Sequence, residues 1–110
     1  MITVTIQKDD KGQYKGFHCF GHAGYAKPGM PDILCSAVSV LVINTMNCME
    51  DLNNERLHVE SQEENGYILC QFEKPLSSES IILMEAMIYG LQDLCKNYGK
   101  KYLLVKFEEV

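Results

Sequence analysis

No stretch of this sequence approaches the roughly 18 apolar residues that a bilayer-spanning helix requires. The chain opens on an alternating strand pattern, without the basic and then apolar order of a secretory leader, and the expectation is a cytoplasmic protein away from the membrane. Positive charge is scarce. Ten Lys and Arg face 15 Asp and Glu, for a formal net charge of -5, so the average field repels phosphate backbones and direct nucleic-acid binding is not expected. The five cysteines, Cys19, Cys35, Cys48, Cys70 and Cys95, are odd in number, lack CxxC spacing and have no export signal beside them. Free thiols are therefore expected, not a disulfide framework. No strand-helix junction carries GxGxxG or a Walker pattern, and neither HExxH nor a paired-carboxylate motif is present. No cofactor is expected.

What is present is the composition of an ordinary globular chain. Hydrophobic residues make up 46% of the 110 and charged residues 23%, consistent with a single domain over 1–110. Ile2, Val4 and Ile6 alternate with Thr3 and Thr5, and Asp9-Asp10-Lys11-Gly12 turns the chain into a second run from Tyr14 to Phe20. A glycine- and proline-rich segment from Gly21 to Pro31 then reads as a mobile loop. From about Ile33 to Leu52 the spacing of Val38, Leu41, Val42, Met46, Met49 and Leu52 predicts a helix, apolar around much of its circumference and so largely buried.

Leu57 and Val59, then Tyr67 to Phe72, flank Asn65-Gly66, a dipeptide that favours a two-residue hairpin with positive φ at both positions. Ser77 or Ser78 can cap a second helix with a stripe of Ile81, Met84, Met87, Ile88, Leu91, Leu94 and Cys95, stopped by Gly99. Tyr102 to Phe107 alternates as a last strand, with Leu103, Val105 and Phe107 on one side. The order ββαββαβ predicts an α+β architecture, an antiparallel or mixed sheet packed with two helices.

Two residues around the loop have a reason to do chemistry. His22 follows a strand between Gly21 and Gly24, where the backbone can bend and the ring can face solvent. Cys35 falls in the predicted first turn of the first helix, where unpaired N–H groups stabilise a thiolate. Cys48, Cys70 and Cys95 fall within apolar patterns, and Cys19 alternates with His18 across its strand. If the loop folds back, a nucleophile, a base and helix N–H groups near a developing oxyanion come together, which is the equipment of acyl transfer.

At these residues the sequence resembles the bacterial ribosomal-processing cysteine proteases, the Prp family. The carriers are Gly21-His22-Ala23 after the second strand and Asp32-Ile33-Leu34-Cys35-Ser36-Ala37-Val38-Ser39 opening the helix. They are similar to the family's G-H-A and D-I-V-C-A-A-V-S, with Leu34 and Ser36 in place of the commoner Val and Ala. The resemblance spans essentially the whole chain. It implies a thiol endopeptidase with His22 and Cys35 as its dyad. It further implies a homodimer that removes the N-terminal extension of large-subunit ribosomal protein twenty-seven by cutting after an aromatic residue.

Asp32 has two open roles, as N-cap of the helix and as a group that orients His22. Ser39, one turn beyond Cys35, can face the same site, and Tyr25 and Met30 in the loop can contact an aromatic substrate residue. The loop over 23–31 is expected to act as a gate that closes over the peptide. Two other classes compete. Cys19, His22 and Cys35, with His18, are possible zinc ligands, although His18 and Cys19 should point to opposite faces of their strand. A non-catalytic domain could hold a basic ribosomal segment against its acidic surface.

Overall fold

The computed structural model describes residues 1–27, 30 and 32–110. Part of the expected gate, residues 28, 29 and 31, lies outside the described residues. The elements run β1 (Ile2–Lys8), β2 (Tyr14–Phe20), α1 (Ile33–Asn53), β3 (Leu57–Gln62), β4 (Tyr67–Phe72), α2 (Ser78–Tyr98) and β5 (Leu103–Glu109). This is the expected order, with boundaries within two residues of the sequence reading except at β3, which runs three residues past Val59 to Gln62.

The strands form one five-stranded sheet in the order β3-β4-β2-β1-β5. β1 pairs antiparallel with β2 and parallel with β5, while β4 pairs antiparallel with both β2 and β3, so the sheet is mixed. The two-residue alternation fixes which side is buried. Register places Val4 opposite Cys19 and Val105, and Phe17 opposite Ile6 and Cys70, so one face collects the apolar side chains. Against that face lie Leu34, Val42 and Met49 of α1 and Met84, Met87 and Leu91 of α2, all essentially without exposure. Each such side chain contributes about 1.5–3 kcal/mol by leaving water, which outweighs any single polar contact at the surface.

Local chemistry sets the ends of the helices. The Asp32 carboxylate caps α1, and the Ser77 hydroxyl accepts from Ser80 N to cap α2. The Glu55 carboxylate in turn accepts from the Ser77 N–H and hydroxyl, at 3.0 and 2.9 Å, tying the start of α2 to the connection after α1.

Four expectations are corrected. α1 is buried along one stripe only: Val40 and Leu52 are exposed, at 67% and 72%, because the sheet and α2 cover one side of it. By length and composition this helix is apolar enough to cross a bilayer, contrary to the expectation from sequence. Its place here is against the sheet and α2, and a core helix passes the same compositional test. The connection after β3 is a four-residue turn, Glu63 to Gly66, closed by Gly66 N–H donating to the Glu63 carbonyl at 3.0 Å. Of its residues only Gly66 has positive φ, at 59°. Phe107 leaves the core stripe of β5 and is half exposed, with the Lys8 ammonium 5.6 Å from its ring centroid.

Candidate active site

Gly21 carries the chain out of β2 with φ 101°, and a Cβ at this position would lie 2.3 Å from the Met1 carbonyl oxygen. Only glycine makes this turn so close to the start of β1. The turn delivers His22 beside the β3–β4 connection. Gly21 N–H donates to the Asn65 carbonyl at 3.0 Å, and His22 Nε2 lies 2.8 Å from the Glu64 carbonyl oxygen.

Asp32 organises the start of α1. Its Oδ1 accepts from the N–H groups of Leu34 and Cys35 at 3.0 and 3.1 Å, and its Oδ2 accepts from those of Tyr25 and Ala26 at 3.0 and 3.4 Å. Partial burial opposes ionisation, but the four backbone donors outweigh it and hold the carboxyl below its usual range. The carboxylate is thus both the N-cap and a clasp that ties the histidine-bearing segment to the helix. It makes no hydrogen bond to His22.

This arrangement changes the source of the help expected at sulfur. The helix N–H groups of Leu34 and Cys35 are taken by Asp32, and Ser36 N–H donates to the Asp32 carbonyl. Cys35 Sγ instead accepts from Ala23 N–H, at 3.2 Å, across the segment that Asp32 holds in place. Ala23 is buried, so water does not compete for that donor.

Cys35 and His22 line one cleft of about 430 Å³ between the N-terminal half of α1 and the β3–β4 hairpin. Its walls include Ser39, Val42 and Ile43 from the helix and Ser61, Glu63 and Ile68 from the hairpin. Such a volume is in the range of sites that enclose a few substrate groups. The sequence reading missed the hairpin wall altogether, because nothing in Ser61 or Glu63 reports that the strand passes beside the helix.

The other residues singled out from sequence separate here. Ser39 lines the cleft, one turn from Cys35. Tyr25 packs edge-on against Tyr98 and Tyr102, with ring centroids at 5.0 and 5.2 Å, and so anchors its segment to α2 and the approach to β5. Among the described residues, neither Tyr25 nor the exposed Met30 belongs to the cleft lining. The chain at 21–26 is therefore held by named contacts, contrary to the expectation of a wholly mobile loop.

The cysteines divide as well. Cys19 and Cys70 are buried, and burial pushes both thiols up to about 12, with the Glu50 carboxylate and Cys19 adding to the effect at Cys70. Cys95 donates its thiol to the Leu103 carbonyl at 3.0 Å. Cys35 is part-exposed in the cleft. The zinc grouping finds no geometric support, since among the described residues no three His, Cys, Asp or Glu side chains come together as metal ligands.

Comparison with solved structures returns the same fold. A structure of an essential ribosomal processing protease Prp from S. aureus, in complex with a covalently linked product peptide, matches with a TM-score of 0.89 at 23% identity, covering 98% of this chain and 100% of that one. A second S. aureus Prp structure, in complex with a substrate peptide, matches with a TM-score of 0.85 at 22% identity over the same shares. A Streptococcus mutans protein matches with a TM-score of 0.81 at 25% identity, covering 100% of this chain and 96% of that one. No curated protein sequence matches this chain. The family model described as cysteine protease Prp matches residues 1–103, nearly the full length, and this chain belongs to that family.

Proposed function

We propose that this chain is a cysteine endopeptidase that uses Cys35 as nucleophile and His22 as general base, and that removes the N-terminal extension of large-subunit ribosomal protein twenty-seven. The observation that carries the reading is the shared cleft, in which the part-exposed cysteine and the histidine face the same space in a chain of this protease family.

His22 takes the thiol proton of Cys35, and Sγ attacks the carbonyl carbon of the residue preceding the cut. The tetrahedral intermediate collapses as the C–N bond breaks, and the imidazolium returns its proton to the departing amine. A thioester remains on Cys35. Water, deprotonated by His22, adds to it and releases the acid product and the thiol. The Ala23 N–H steers the sulfur before attack, from a segment fixed by the Asp32 clasp. A covalently linked product peptide on the S. aureus relative is in keeping with such a route.

The same reading makes the chain a one-domain cytoplasmic enzyme that works as a homodimer without a cofactor. The aromatic residue before the cut would rest on the apolar wall of Val42, Ile43 and Ile68. Incubating the purified chain with the precursor of the ribosomal protein, followed by intact-mass measurement, tests the proposal. Expected is one cut after an aromatic residue, abolished by Cys35→Ala with binding retained. Undiminished cleavage by Cys35→Ala would reject it, and binding with no cleavage by the native chain would favour the non-catalytic holding domain.

A further inference from the structure

The contact between His22 and the β3–β4 turn goes further than packing. We propose that the Glu64 backbone carbonyl is the positioning group of the catalytic histidine, fixing its tautomer, and that Gly66 is the residue that lets it do so. The inference rests on the reading of His22 as the base.

A carbonyl oxygen only accepts hydrogen bonds, so a 2.8 Å contact with His22 Nε2 requires the proton on that nitrogen. In the neutral ring Nδ1 then carries the lone pair and is the atom that takes the Cys35 proton. Once it has done so, the Nε2–H donor belongs to an imidazolium and its bond to the carbonyl strengthens. The carbonyl thus does for this ring what a buried carboxylate does in a serine-histidine-aspartate triad, without adding a negative charge beside the sulfur.

The turn is built to hold that oxygen still. Gly21 N–H donates to the Asn65 carbonyl at 3.0 Å, and Asn65 Nδ2 donates to Gln62 Oε1 at 2.9 Å. Gly66 closes the turn with φ 59°, and a Cβ there would lie 2.2 Å from the Gly21 carbonyl oxygen and 3.3 Å from His22 Cε1. A side chain at 66 would therefore drive the turn away from the backbone that carries the histidine and press on the ring itself. The Asn65-Gly66 pair, a hairpin signal in the sequence, has a second use in docking the hairpin onto the base.

Nitrogen-15 NMR tests this in the resting enzyme. The sequence holds three histidines, so a chain with His18→Gln and His58→Gln leaves His22 as the sole imidazole. With the imidazole in its neutral form, reached by raising the pH until the nitrogen shifts stop changing, Nε2 should resonate as a protonated nitrogen and Nδ1 as an unprotonated one. Gly66→Ala should erode that preference and lower kcat by about tenfold, the weight of one ordinary hydrogen bond. Should Gly66→Ala fold poorly, replacing the Glu64–Asn65 amide by an ester weakens the acceptor without adding bulk and should give the same tenfold loss. A protonated Nδ1, an equal mixture of tautomers, or an ester enzyme with unchanged kcat would overturn the inference. Failure of the protease reading is separate: it would show as a native chain that cleaves nothing.

Discussion

Replacing Asp32 separates two tasks that one carboxylate performs. Oδ1 caps α1 through Leu34 and Cys35, and Oδ2 clasps the segment at Tyr25 and Ala26. Serine can keep the first task, since its hydroxyl caps about as well as a carboxylate, but it is too short to reach across to the second. Alanine keeps neither. Loss of the cap should cost about 1 kcal/mol of stability, seen for Asp32→Ala but only in small part for Asp32→Ser. Loss of the clasp removes two hydrogen bonds of about 1 kcal/mol each, which translates into roughly a thirtyfold fall in the population with Ala23 N–H on the sulfur. Both variants should therefore lose about the same factor in kcat/KM, while their stabilities differ.

Urea denaturation gives the first quantity and cleavage of a fluorogenic peptide spanning the cut gives the second. An Asp32→Ser enzyme with native kcat/KM would refute the clasp, and equal stabilities of the two variants would refute the cap. The sign of the pH effect follows from the lowered ionisation range of the carboxyl. A group whose folded value lies below its unfolded value of about 3.9 contributes stability above that value and loses it as pH falls through the folded one. The Asp32 contribution should thus be intact near neutrality and vanish only in acid. An acid limb of the activity profile near neutral pH would belong to another group.

The remaining predictions are shorter. Iodoacetamide, followed by peptide mapping, should label Cys35 well before Cys19 and Cys70, whose buried thiols are pushed up to about 12; faster labelling of either buried thiol would contradict the packing. Ser39→Phe should raise KM by about tenfold while leaving the melting temperature nearly unchanged, because Ser39 is exposed yet lines the cleft; unaltered kinetics would place the substrate elsewhere. Thr5 is fully buried in β1 with its Oγ1 unpaired, so the near-isosteric Thr5→Val should raise stability by about 1 kcal/mol in urea denaturation, and destabilisation would mean that the hydroxyl has a partner.

The fold was legible in the sequence wherever periodicity and punctuation agreed. Tyr14–Phe20 and Tyr67–Phe72 have the bounds that the strand pattern predicts, and Ser77 and Gly99 bracket α2 as cap and stop. Misreadings came where burial depends on neighbours. An α1 sequence apolar on most sides suggested a largely buried helix, yet how many sides are covered depends on how the sheet and α2 are placed around it, which no local period encodes. The hairpin turn failed for a related reason. Asn-Gly prefers a two-residue turn in an isolated hairpin, but here the Asn65 carbonyl is engaged by Gly21 N–H, a contact 44 positions away along the chain that comes with a longer turn.

The site divides along the same line. Cys35 and His22 were legible as candidates for chemistry because of their side-chain types and because their neighbours match a family pattern. What positions them is mostly backbone: the Ala23 N–H on sulfur, the Glu64 carbonyl on the imidazole, and the four N–H groups around Asp32. Every residue except proline owns the same donor and acceptor, so these groups have no signature in a sequence. The exceptions are positions where backbone crowding forbids a side chain. Gly21 and Gly66 are two such positions, and their hypothetical Cβ atoms clash with the Met1 and Gly21 carbonyls respectively. In this chain the legible trace of the positioning machinery is glycine: Gly21 turns the histidine into the cleft, and Gly66 lets the hairpin close on it. Substitution at either should therefore reach the chemistry through geometry, with Cys35 and His22 still present in the chain.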